Sequence, residues 1–580
     1  MTADPPIDAV AQEVLERRYL QQDETGQVIE TPDELFRRVA TNLAQAETAF
    51  SGDQQAVEEA FYRAMRNREW LPNSPTLMNA GTELQQLAAC FVLPLDDSLV
   101  SIFDTVKHTA LIHQSGGGTG FGFSRLRPHG DIVQSTGGVA SGPVSFMKVF
   151  DAATEQIKQG GRRRGANMGV LDATHPDIEQ FIDVKEDEEA LRNFNISVAT
   201  PGEFWDAYAS DEEYPLINPR TEDTVATAHP EHVVDQIAEA AWASGDPGVL
   251  FLDRINAANP FPVEGPSDDH WIDATNPCGE LPLEPYEPCV LGSINLGQMT
   301  EEGEVNWEKL EKTVHLGIHF LDNAVTMSDF PLEEIATKAQ HNRKVGLGVM
   351  GFHDMLVDLG LPYHSEEAVE FAAELMEFIN EAAWEMSTQL ADERGAFPNW
   401  EESTFDEEVR NATTTTIAPT GSISIIAGCS ASIEPIYNVA YTKHVMGGLD
   451  IVNDRFVEIA KERGFYSEDL LERIKEATSI QEFDEIPADV KELFPTAHDV
   501  AASHHVQMQA AFQEHVDNAV SKTVNLPANA SEADIKQIIL EARDRGCKGI
   551  TVFRSGAKRE QVLGTEPRKE DCIGECDYVE

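Results

Sequence analysis

The stretch Ser531-Glu-Ala-Asp-Ile-Lys-Gln-Ile-Ile-Leu-Glu-Ala-Arg-Asp-Arg-Gly-Cys-Lys-Gly-Ile-Thr-Val-Phe553 decides the fold class of this chain. Ser531 and Asp534 have the spacing of a helix cap, and Ile535, Ile538 and Ile539 fall on one helical face. Gly546 stops the helix, and Gly549 to Phe553 is a short apolar run of buried-strand character. A helix that feeds a buried strand is the repeating unit of a parallel sheet. Earlier runs of the same character, Asn195 to Thr200, Gly248 to Ile255, Lys344 to Gly351 and Thr413 to Ala418, alternate with longer helical stretches. That alternation predicts an α/β architecture of parallel strands and crossover helices from about residue 71 onward. Before it, Thr31-Pro-Asp-Glu34 is a capping box with proline at the first helical position. Leu35, Val39 and Leu43 follow at four-residue spacing, so residues 1–70 are expected to be helical. An acidic segment from Ser467 to about Val500 reads as a helical surface insertion. The polar stretch 557–580, with Cys572 and Cys576, reads as a mobile tail.

Composition narrows the function classes. The chain has 580 residues, 41% hydrophobic and 25% charged, and no apolar run long enough to span a bilayer. Its start, Met-Thr-Ala-Asp-Pro-Pro, has no basic region followed by an apolar stretch, so no secretory signal is expected. Seven thinly spread cysteines argue against a disulfide scaffold and for a reducing cytoplasm. The 43 basic residues against 101 acidic ones give a net charge of -58, which repels nucleic acid and anionic membranes. We read this acidity as a solvated surface suited to a salty interior, where screening suppresses self-repulsion, with an acidic docking face as the alternative.

The chemistry centres on Asn276-Pro277-Cys278-Gly279-Glu280, with Cys289 eleven residues after Cys278 and Cys90 far upstream. A thiol can give up a hydrogen atom, and two neighbouring thiols can deliver two electrons by becoming a disulfide. A carboxylate beside the first thiol can serve as general base toward a substrate hydroxyl, and an amide can orient it. Read alone, the motif is equally a Pro-Cys-Gly turn with a structural thiol. Pro419-Thr-Gly-Ser-Ile-Ser424 offers hydroxyls and unhindered backbone N–H groups at the start of a helix, a setting for an anion that is also a common turn. Gly116 to Gly122 lacks the acidic partner and the strand-turn-helix flanks of a dinucleotide fingerprint. Cys429 and Cys547 read as small buried residues.

These motifs, with Leu71-Pro-Asn-Ser-Pro-Thr-Leu-Met-Asn-Ala-Gly81, Ala89-Cys-Phe-Val92, Gln159-Gly-Gly-Arg-Arg-Arg-Gly-Ala-Asn167 and Lys344-Val-Gly-Leu-Gly-Val-Met-Gly351, run from about Val14 to the tail. Together they resemble the catalytic large subunit of ribonucleotide reductase, specifically the adenosylcobalamin-dependent class II enzymes. The resemblance implies a ten-stranded α/β barrel over residues 71–556, made of two five-stranded parallel halves packed antiparallel, with Cys278 on a finger loop inside. It implies that Cys278 becomes the thiyl radical that takes the substrate's 3'-hydrogen. Glu280 accepts the 3'-hydroxyl proton, Asn276 holds the hydroxyls, and Cys90 with Cys289 ends as a disulfide. Ser74, Ala89, Pro419, Thr420, Gly421, Ser422, Ile423 and Ser424 correspond to substrate-binding positions. Asp97 and Arg163 correspond to effector-site positions, with Gln134 to Val139 and Gln159 to Ala166 as the two loops linking effector to substrate. Cys572 and Cys576 resemble the shuttle that passes oxidation to thioredoxin or a glutaredoxin-like reductant. No metal-ligand set is assigned.

The partners implied are a ribonucleotide, dNTP or ATP effectors and a second copy of the chain in a homodimer. Aligned on the last barrel strand, Thr551 and Val552 occupy the places where class I enzymes carry their radical-relay tyrosines, and the class III glycyl-radical segment has no counterpart. A class I subunit with a separate radical-generating partner and an inactive nucleotide-binding homologue are the alternatives. The family's N-terminal ATP-cone has no counterpart either, which implies specificity control without a general dATP off-switch.

Overall fold

A computed structural model describes residues 7–133, 137–159, 163–187, 189–443 and 449–557. The capping box at Thr31 and Glu34 forms as expected, and the helix Pro32–Ala44 buries Leu35, Val39 and Leu43 against the helix Gln54–Arg66 and the long helix Trp307–Met327. These helices lie against a sheet of ten hydrogen-bonded strands. Nine are named here: β1 (Cys90–Val92), β2 (Gly118–Gly122), β3 (Asn167–Asp172), β4 (Phe194–Thr200), β5 (Gly248–Phe251), β6 (Pro288–Asn295), β7 (Val345–Met350), β8 (Thr523–Leu526) and β9 (Gly549–Arg554). The tenth, Trp70–Pro72, runs antiparallel along β6.

Strands β1 to β5 pair in parallel in chain order. In the second half β6 pairs with β7 and β8 with β9, again in parallel. The segment 413–418 stands between β7 and the run into β8, through the parallel bridges Leu347 to Thr415 and Ile417 to Val520. The halves meet antiparallel at both seams, β1 against β6 and β5 against β9. The result is the expected barrel of two opposed parallel halves, five strands in the first and four in the second, where the segment 413–418 fills the fifth place.

Two strand expectations need correction. The run Thr413 to Ala418 forms isolated bridges and no continuous ladder, because the Asp517 carboxylate takes the N–H groups of Thr414 and Thr415 at 2.7 and 3.2 Å. The run Gly248 to Ile255 stops as a strand at Phe251, and Leu252–Ala257 is helical. The acidic insertion is helical at Glu468–Lys475 and Ala488–Leu493, with its own apolar cluster around Phe456, Leu470, Ile474, Val490 and Phe494. Among the described residues no helix is long and apolar enough to cross a membrane.

The glycine-rich stretch read above as a weak dinucleotide fingerprint is strand β2. Its glycines exist because another piece of chain lies against them. A Cβ at Gly120 would sit 1.7 Å from the Thr275 carbonyl oxygen, and one at Gly118 would sit 2.9 Å from the Pro277 ring. The segment that demands this space is the finger carrying Cys278.

Candidate active site

The finger rises as the short antiparallel pair Ala274–Thr275 with Pro282–Leu283. Its apolar flanks, Ile272, Ala274, Leu281 and Leu283, pack with Cys90, Met168, Ala199, Leu250, Leu291 and Ala418 of the barrel wall. Both halves hold the tip. Asn195 on β4 donates its amide to the Pro277 carbonyl at 2.8 Å, while the Thr416 hydroxyl and the Ala519 N–H both reach the Glu280 carbonyl at 2.9 Å. A tip tied at both ends keeps its side chains in fixed geometry, as catalysis requires.

Asn276 is buried and connects two of the expected roles. Its Nδ2 donates to the Cys90 Sγ at 3.1 Å, and its Oδ1 accepts the Leu281 N–H at 3.0 Å. Cys90 and Cys289 are direct partners across the antiparallel seam. Such partners stand about 4.5–5.5 Å apart at Cα, inside the range of about 4.4–6.8 Å that a disulfide spans. Burial holds both thiols well above their ordinary pKa. Glu280, Cys278 and Cys289 add to the effect at Cys90, while at Cys289 Glu287 adds to it and Lys344 opposes it. Both therefore stay protonated at neutral pH.

Glu280 is only 2% exposed. Burial raises its carboxyl to about 7, against the opposing Asn276 amide and its own backbone N–H. Its Oε2 has no hydrogen-bond partner among the described residues. A carboxyl held near neutrality with one oxygen free suits proton transfer at physiological pH.

Most of the expected residues line one cavity of about 100 Å³: Ser74, Ala89, Cys90, Asn276, Cys278, Glu280 and the loop Pro419 to Ile423. In that loop Thr420 has a left-handed backbone with φ 55°, and its hydroxyl accepts the Ser432 N–H at 2.7 Å. Cys278 also borders a second cavity of about 1270 Å³, whose wall includes Ser424, Tyr437, His498, Thr551 and Val552. Cys547 is fully buried as expected, but Cys429 is half-buried, on the wall of this larger cavity. Asp97 stands apart from these cavities, receiving the Arg127 Nε at 2.7 Å. Arg163 lies on a short hairpin pairing Arg163–Arg164 with Lys158–Gln159. Gln134, Cys572 and Cys576 lie outside the described residues.

Several residues at the site were given no role by the sequence. Lys344 is buried and pairs with Glu287 at 2.7 Å, with its carbonyl 3.8 Å from the Cys289 Sγ. Asn195 and Thr416 anchor the finger, and Arg18 and Tyr19 of the N-terminal helical region touch the cavity serines. Each reads in isolation as an ordinary surface or strand residue; only the flanking of Cys289 by Glu284 and Glu287 in an apolar run is unusual.

The barrel thus brings two buried thiols, Cys90 and Cys289, the half-buried Cys278 and a neutral-range carboxyl together at its inner wall. The family model for the ribonucleotide reductase barrel domain matches residues 88–409 and 406–553, and that for the ribonucleotide reductase all-alpha domain matches residues 7–85. The chain belongs to the ribonucleotide reductase family. It is 46% identical to a vitamin B12-dependent ribonucleoside-diphosphate reductase of Thermoplasma acidophilum, over 95% of this chain and 79% of the relative. It is 47% identical to a protein of the same name from Mycobacterium tuberculosis, over 97% of this chain and 81% of the relative. The class Id ribonucleotide reductase alpha subunit of Actinobacillus ureae shares the fold, with a TM-score of 0.77 at 22% identity, covering 94% of this chain and 97% of that one.

Proposed function

We propose that this chain reduces ribonucleoside diphosphates to 2'-deoxyribonucleotides with adenosylcobalamin as its coenzyme. The observation that carries the reading is the meeting of Cys90, Cys278 and a poised Glu280 on one cavity inside the barrel, with Cys289 directly behind Cys90 as its partner across the seam. The names of the relatives in Thermoplasma and Mycobacterium supply the substrate class and the vitamin.

The coenzyme fits the larger cavity on two grounds. Its volume of about 1270 Å³ exceeds the roughly 300–1,000 Å³ of a drug-sized pocket, and it opens onto Cys278. Tyr437 and Tyr441 also give its wall an aromatic, mostly apolar surface. Bound there, adenosylcobalamin supplies the one-electron oxidation that a thiol cannot perform alone. Thr551 and Val552 on β9 border the same space, and neither side chain is readily oxidised, which speaks against relay from a separate radical subunit.

In this reading the Cys278 sulfur takes the 3'-hydrogen and later returns it. Glu280 takes the 3'-hydroxyl proton, and the C2'–O bond breaks as water leaves with a proton from Cys90. Cys90 and Cys289 together give up two protons and two electrons: one proton leaves in the water, the other ends in the new C–H bond at the 2'-carbon, an S–S bond forms between the two sulfurs, and Glu280 returns its proton to the 3'-oxygen. Asn276 keeps the Cys90 thiol aimed into the cavity. Exclusion of water by the barrel strengthens the Glu280 contact and protects the radical. Cys572 and Cys576 would reduce the disulfide and hand it to a thioredoxin-like or glutaredoxin-like protein.

The exposed apolar side chains Leu99, Val100 and Phe103, 65%, 73% and 54% accessible, follow Asp97 on the helix Leu99–Gln114. A contiguous apolar face of this kind is the sort that a partner covers. We assign it to a second copy of the chain, with effector nucleotide near Asp97 and Arg163.

Purified protein with adenosylcobalamin, a ribonucleoside diphosphate and a dithiol should yield deoxynucleotide. Turnover only after addition of a di-metal subunit would move the chain to the class I alternative.

A further inference from the structure

The N-terminal helical region touches the wall of the small cavity. Its helix Ala9–Val14 continues into a widened turn, Leu15–Tyr19, in which the Leu20 N–H bonds the Leu15 carbonyl five residues back at 2.9 Å. Widened turns of this kind recur at functional sites because they re-aim the side chains that follow. Here Arg18 Nη1 donates to the Ser422 Oγ at 3.3 Å, and the Tyr19 hydroxyl shares a hydrogen bond with the Ser74 Oγ at 2.8 Å. Both serines line the cavity that holds Cys278 and Glu280. Tyr19 is 2% exposed; Arg18 is half-buried and borders the larger cavity beside Gly421 and Ser424.

The charge balance of this cavity is incomplete for an anionic substrate. Its described lining residues include Glu280 and no lysine or arginine. The hydroxyl row of residues 420–424 offers hydrogen bonds but no positive charge, and a net charge of -58 repels anions across the whole surface. Arg18 is a cation that hydrogen-bonds into the row, and a guanidinium presents the planar fork that matches phosphate oxygens.

We propose that Arg18 is a phosphate-binding residue of this site. Its guanidinium pairs with the phosphates of the substrate over Ser422, while Tyr19 fixes the Ser74 hydroxyl for the same group. The N-terminal helical region then belongs to the substrate site and is more than a scaffold for the barrel. This assignment rests on the ribonucleoside-diphosphate reading above.

The test is calorimetric binding of a ribonucleoside diphosphate and of its parent nucleoside, without coenzyme, to the full chain and to Arg18→Gln and Arg18→Lys. Arg18→Gln should weaken diphosphate binding at least tenfold, leave nucleoside binding unchanged and flatten the salt dependence, with Arg18→Lys in between. A folded Arg18→Gln that binds the diphosphate within twofold of the unaltered chain would overturn the assignment. Protection of Arg18 from phenylglyoxal in the unaltered chain, read by peptide mass spectrometry, gives a second readout that needs no variant. The diphosphate should protect and the nucleoside should not; equal modification with and without diphosphate would likewise overturn it. An unaltered chain that binds no diphosphate would bring down the functional reading and this assignment together, a result distinct from a chain that binds and a variant that matches it.

Discussion

Two buried carboxylates, Glu280 and Asp322, show how the same burial produces opposite chemistry. Asp322 is completely buried, yet three arginines hold it: Arg343 at 2.6 Å, Arg394 at 2.9 Å and Arg410 at 3.2 Å. Their charges overcome the cost of burial and keep its carboxyl below the usual aspartate range. Through Arg394 the cluster reaches Glu47, whose carboxyl falls to about 2 although burial opposes it, because His319, Asn323 and Arg394 surround it. That network ties the helix Trp307–Met327 to the N-terminal region and stays ionised. Among the described residues Glu280 has no basic partner, so burial wins and its carboxyl rises to about 7. Partner count, rather than depth, separates a structural acid from a reactive one.

This contrast breaks most sharply at the carboxylates themselves. Glu280→Gln should lower turnover by about 10²–10⁴-fold, the range of a lost general base, while leaving the fold intact, because a neutral amide suits that pocket. A melting point that falls together with activity would place Glu280 with the structural acids. Gly120→Ala should cost about 10²-fold in kcat, since the new Cβ would lie 1.7 Å from the Thr275 carbonyl and must displace the finger. Unchanged kcat in that variant would mean that the finger does not need its present seat. Asp322→Asn should behave in the reverse sense, losing about 3–5 kcal/mol of stability in denaturant titration with unchanged kcat per folded molecule.

The pH profiles should diverge as well. Glu280 is raised in the folded chain, so its protonated form favours folding, and that contribution is lost as pH climbs through about 7. The base form needed for turnover appears over the same interval, giving kcat/KM an ascending limb near pH 7. Asp322 and Glu47 are depressed, so their stabilisation is complete above the ordinary carboxyl range and disappears only in acid, for Glu47 as pH falls through about 2. A flat kcat/KM from pH 5 to 8 would contradict the assignment of Glu280 as base. The smallest effect belongs to Cys547→Ala, which should cost about 1–2 kcal/mol of core packing in a thermal melt and leave turnover unchanged.

The sequence made visible those parts of the fold that rest on local pattern. The capping boxes at Thr31 and Ser531, the strands around Asn195, Lys344 and Gly549 and the acidic helices all appear where periodicity and caps placed them. What local pattern cannot express is contact across the barrel. The glycines of β2 gave no clear strand pattern because a strand normally needs side chains, whereas here the finger occupies their space. The Thr413 to Ala418 run read as a full strand because Asp517, a hundred residues later, gives no local sign that it will take two of the run's N–H groups. The thiol trio and Glu280 were legible through motif resemblance. Arg18, Tyr19 and Lys344 were not, since an arginine on a polar helix and a lysine before a strand are the commonest of residues until packing aims them inward.

The most direct test of the account uses the unaltered chain and Cys278→Ser side by side, each given adenosylcobalamin, a ribonucleoside diphosphate and a dithiol, with deoxynucleotide quantified by chromatography. The account predicts steady product from the first and none above background from the second, with both proteins melting alike. Deoxynucleotide formed by Cys278→Ser at the rate of the unaltered chain would contradict it.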